Sequence, residues 1–76
     1  TEEEVNRGLL LKAIDKTLGE LPEKTRTVFR LSRFENKSVR EIAGKMDLTE
    51  KAVEYHITKA IKLLRHRLRG YLPFLF

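Results

Sequence analysis

The sequence predicts an all-α domain of four helices, the last two forming a helix-turn-helix, with no strand and no wing. Three observations predict it. Apolar residues recur every three or four positions through most of the chain. Pro22, Ser38 and Thr49, residue types that open helices, stand at the breaks in that pattern. Between Ser38 and Leu68 two apolar stripes follow each other at the spacing of helices packed across a tight corner.

The first helix is expected over residues 3–18. Thr1 and Glu4 have capping-box spacing, and Val5, Leu9, Leu10, Ile14, Leu18 and Leu21 follow on one face. Gly8 costs this helix some stability. The abrupt acidic opening is that expected of a piece of a longer chain. Leu21-Pro22 breaks the pattern, and Pro22 suits the first position of a second helix over 22–34, where a missing N–H costs nothing. Glu23 there complements the helix dipole. Val28, Phe29, Leu31 and Phe34 are expected to face inward, and Glu35-Asn36-Lys37 is a polar turn.

The third helix is expected over 38–46. Ser38 and Glu41 form a capping box, and Val39, Ile42, Ala43 and Met46 make its apolar side. Ala43 is small where a second helix must cross. Asp47 ends the helix, because Asp tolerates a left-handed backbone, and Leu48 plugs the corner. Thr49 caps a fourth helix over 50–69, with Val53, Ile57, Ala60, Leu64 and Leu68 as one buried stripe. Its basic end, Arg65, His66, Arg67 and Arg69, outlasts the core and is expected in solvent. The apolar tail 71–76, interrupted by Pro73, is expected either to pack on the first two helices or to meet a partner.

The 76 residues are expected to form a single domain, 1–76, too small for a deep catalytic cleft. There is no cysteine, hence no disulfide and no thiolate metal site. No apolar run reaches the length of a membrane span, so no membrane partner is expected. His56 has no second ligand near it, so no metal or cofactor is expected; it is expected at the rim, where it can donate to a phosphate. Residues 1–21 hold 3 basic and 5 acidic side chains, residues 22–48 hold 7 and 4, and residues 49–76 hold 6 and 2. The positive charge thus lies on the helix-turn-helix and the helix before it, as phosphate binding requires. A solvated basic surface would look the same.

Leu21-Pro22-Glu23-Lys24, Val28-Phe29, Ser38-x-x-Glu41-Ile42-Ala43, Ala52-Val53-Glu54-Tyr55-His56-Ile57-x-Lys59-Ala60 and Leu64-Arg65 follow in order. In this order the chain resembles region 4 of bacterial RNA polymerase sigma factors of the sigma-70 family, nearest the extracytoplasmic-function (ECF) type. The likeness runs over about residues 5 to 70. Asp47 stands where the corner usually has Gly, His56 where an apolar residue is common, and Glu54 where a basic residue is common. The resemblance implies a DNA-binding domain that recognises the minus-35 promoter element. It implies docking on the beta flap of the polymerase core, restraint by an anti-sigma protein, and work in the bacterial cytoplasm, at the nucleoid. The promoter-melting region of the family has no counterpart here, so the chain by itself is not expected to start transcription; as an isolated domain it is expected to be monomeric.

The family reads bases from the exposed face of the second helix of the motif. Carried over, those positions are Glu54, Tyr55, Thr58 and Lys59. Helical spacing agrees: with Val53, Ile57 and Ala60 inside, residues 51, 54, 55, 58, 59 and 62 lie outside. Lys59 can donate to guanine O6 and N7, Glu54 can accept from cytosine N4, and Thr58 and Tyr55 can meet a thymine methyl or a phosphate. Lys37, Arg40, Lys51 and Lys62 are placed for phosphates, which fix register without reading sequence. Two other readings compete. A LuxR-type effector domain shares the Glu41-Ile42-Ala43 pattern but lacks Leu21-Pro22-Glu23-Lys24, and a protein-interaction domain would use the basic face only for solubility. No nucleophile–base set or phosphate-cradling glycine loop suggests an enzyme.

Overall fold

Pro22, Ser38 and Thr49 do divide the chain. The structure, a computed structural model, describes the backbone of residues 2–69 and the side chains of residues 8–69. It contains α1 (Glu2–Gly19), α2 (Glu23–Arg33), α3 (Val39–Met46) and α4 (Glu50–Arg67), and no strand among the described residues. The expected cap at Thr1 and the tail 71–76 lie outside those residues.

The breaks are made by local chemistry. Pro22 is the N-cap of α2 rather than its first helical residue, since its ψ of 146° is still extended. Its carbonyl accepts the first bond of the helix, from Arg26 N–H at 3.0 Å. Asn36 closes the other end in the left-handed region, φ 53°, while Lys37 N–H donates to Leu31 O at 2.9 Å. Ser38 and Glu41 form both arms of a capping box, each 3.1 Å. Asp47 takes φ 54°, ψ 49°, which turns the chain and lets Leu48 N–H reach Ala43 O at 2.9 Å. Thr49 Oγ1 then accepts from Ala52 N–H at 3.0 Å and starts α4.

The interior falls into two clusters. One joins Leu18 and Leu21 to Phe29 of α2 and to Ala60, Leu64 and Leu68, with Leu10, Ala13 and Ile14 packed around it. The other joins Val28 and Leu31 of α2 to Ile42 and Ala43 of α3 and Val53 of α4. Val39, Met46, Leu48 and Ile57 flank it. α2 and α4 belong to both, and through them α3 is joined to α1. Ile42, Val53 and Leu64 are fully buried; each contributes about 1.5–3 kcal/mol of transfer free energy.

Two side chains depart from the expected core. Leu9 is 50% exposed, and Leu11 beside it 57%. The apolar residues from Leu9 to Ile14 cover more than one face of α1, and only Leu10, Ala13 and Ile14 turn to the cluster. Phe34, the C-cap of α2, is also exposed. Its ring stands edge-on to buried Phe29, centroids 6.1 Å apart, under the Arg30 guanidinium. At the surface Arg30 pairs with Asp15 and Arg67 with Glu20. Such half-exposed pairs contribute about 0–1 kcal/mol each.

Candidate nucleic-acid interface

Burial on α4 divides by face. Val53, Ala60, Leu64 and Leu68 are buried and Ile57 is half-buried, while Lys51, Glu54, Tyr55, Thr58, Lys59 and Lys62 are exposed. Tyr55 is the one large hydrophobic side chain of α4 that is exposed among the described residues. Lys51, Tyr55, Thr58 and Lys62 stand at four- and three-residue steps, one row along the cylinder, with Glu54 and Lys59 on either side. The opposite row packs on α2 and α3, so the orientation of α4 about its axis is fixed. An α-helix of this width fits a B-DNA major groove.

Lys37 precedes α3 and Arg40 lies in its first turn; both are exposed. Lys37, Arg40, Lys51, Lys59 and Lys62 make no ion pair with any described residue. Cations left without carboxylate partners are available to phosphates. Glu41 is acidic but engaged. The Ser38 backbone N–H first, then the Ser38 hydroxyl and Lys37, hold its carboxyl below the usual range.

His56 is half-buried at the rim, as expected, but its partner on α2 was not foreseen. Its Nδ1 lies 2.9 Å from Oγ1 of Thr25, a residue of α2 that is 1% exposed. Its ring meets that of Tyr55 edge-on at 5.6 Å. Burial above all, then Lys24 and Lys59, push its pKa below the usual 6.5. A base with a lowered folded pKa binds its proton more readily unfolded, so this group stabilises the fold above about pH 6.5 and ceases to as pH falls. A signal was present in the sequence. Residue 25 is on the face of Val28 and Phe29, and residue 56 stands three after Val53 and four before Ala60.

Among the described residues no cluster of His, Asp or Glu is arranged to hold a metal ion, and no helix is long and apolar enough to cross a membrane. The family described as Sigma-70, region 4 matches residues 11–64, from the middle of α1 to the buried Leu64 of α4. No curated protein matches the chain closely.

Proposed function

The chain belongs to the sigma-70 region 4 family, whose members are DNA-binding domains of transcription initiation that work with promoter DNA and RNA polymerase, and from that premise we propose that it recognises the minus-35 promoter element. The outer face of α4 lies in the major groove, with Lys59 on a guanine edge and Glu54 on a cytosine amino group. Tyr55 and Thr58 meet a thymine methyl or the adjoining phosphate. Lys37, Arg40, Lys51 and Lys62 take phosphates and set the register. The surface away from the DNA docks on the beta flap of the polymerase core, and an anti-sigma protein restrains the factor. The site of action is the bacterial nucleoid.

The observation that carries this reading is the clean division of α4: one row is locked into both clusters and the other, rich in unpaired cations and amphipathic side chains, faces out. Pro22 opening α2 supports sigma over a LuxR-type effector domain. The test is selection of duplex DNA from a random pool by the chain together with polymerase core. A single asymmetric upstream motif is expected. A palindrome would point to a dimeric regulator, and no enrichment at all to an interaction domain without a DNA role.

A further inference from the structure

We infer that His56, held by Thr25, is an additional phosphate contact of the DNA backbone, at the seam where the start of α2 meets the outer face of α4. The inference deepens the DNA-binding reading and rests on it.

The tautomer follows from hydrogen-bond accounting. The Thr25 hydroxyl is buried, and its one partner among the described residues is His56 Nδ1, at 2.9 Å. A buried hydroxyl that only accepted would leave its own proton unpaired. Thr25 therefore donates and Nδ1 accepts, which puts the ring proton on Nε2 of a neutral imidazole. Nε2 is on the opposite side of the ring and has no partner among the described residues. His56 is half-buried, so this N–H sits at the rim of the face rather than at its crest.

The charges around it lack an anion. Lys24 of α2 and Lys59 of α4 both act on the ring, and Tyr55 of α4 stands edge-on to it. Both lysines are exposed and neither pairs with a described carboxylate. A fixed N–H donor with the free Lys24 ammonium acting on the same ring matches one phosphodiester oxygen and its charge, and leaves Lys59 to its base. Bases are out of reach of a half-buried rim group, whereas the backbone passes along the rim. The contact thus fixes how deep α4 sits, and with it the Tyr55 ring.

A phosphate beside His56 favours the imidazolium over the imidazole. The new Nδ1 proton then points at Thr25 Oγ1; the hydroxyl must turn to accept it and gives up the partner of its own proton, a cost that the phosphate charge has to outweigh. DNA binding takes up a proton wherever the pH lies between the pKa of the free protein and that of the complex. In that window affinity rises as pH falls, by up to about tenfold per pH unit for one proton.

The experiment measures affinity of the full chain for its selected duplex from about pH 8 to about pH 5.5 at constant salt, the range in which histidine titrates. His56→Gln keeps an uncharged donor near the place of Nε2 and removes the titration; His66 stays in both proteins as an internal control. The wild type should tighten several-fold on acidification, while His56→Gln, whatever its affinity at about pH 8, stays flat. Thr25→Val, folded by circular dichroism, should weaken binding equally on every sequence, and Thr25→Ser should restore it. A wild type indifferent to pH, or a His56→Gln that titrates like the wild type, overturns the inference alone. Absence of any duplex binding overturns the DNA reading along with it.

Discussion

Asp47 and Lys59 show how differently single residues serve this domain. Asp47 matters through its backbone: at φ 54° it pays part of the strain that a glycine would avoid. A β-branched side chain there clashes with the backbone on both sides, so Asp47→Val should lower stability by about 1–2 kcal/mol, read as a fall in melting temperature. DNA contacts by Lys51 or Lys59 are not needed for that effect, which should appear without ligand. Lys59 matters through its ammonium and is exposed, so its loss should leave folding untouched. If it reads a guanine, Lys59→Ala costs about 1–3 kcal/mol on the selected site and relaxes preference at one base pair. Binding of the variant to single-base changes of the site checks this; uniform weakening would make it a phosphate contact.

Helices were the legible part of the sequence, because their starts are written in side chains that satisfy free N–H groups. Ser38 and Thr49 cap as expected, and Glu41 completes the box. Its contribution has a pH signature. The Glu41 carboxyl is held below its ordinary value of 4.5. A lowered folded pKa gives stability that is present above that ordinary value and lost as pH falls through the folded one. Melting curves from neutral to strongly acid pH should therefore show a loss below about pH 4.5 that is smaller in Glu41→Gln, whose amide still caps. Ile42 ties α3 to α2 and α4 and is completely buried. Ile42→Ala should cost about 2–5 kcal/mol, enough to unfold much of so small a domain, which denaturant titration would register. Less was legible in α1. Leu9, Leu10, Leu11, Ala13 and Ile14 fit several faces equally well, and only packing on α2 and α4 decides that Leu9 and Leu11 stay outside. Phe34 was misplaced as well: it is the C-cap of α2, where its ring stays exposed beside Phe29.

The proposed interface draws its unpaired cations from one end of α3 and along α4, so its DNA affinity should be governed by counterion release. A plot of log affinity against log salt should be steep. Each of Lys37→Ala, Arg40→Ala, Lys51→Ala and Lys62→Ala should flatten the slope by about 1 if it holds a phosphate. A slope near zero in the wild type would remove the electrostatic basis of the proposed interface. The Thr25–His56 bond was harder to read along the chain, because residue spacing puts both side chains on inward faces but their meeting depends on how α2 is rotated against α4. The outer row of α4, by contrast, follows from the inner one once helicity is granted. That separation has an evolutionary consequence. Because Val53, Ala60, Leu64 and Leu68 anchor the rod while its outer row is exposed, drift along that outer row is nearly invisible to selection for folding. A duplicated copy can therefore wander to a new promoter vocabulary one outward letter at a time, never passing through an unfolded ancestor.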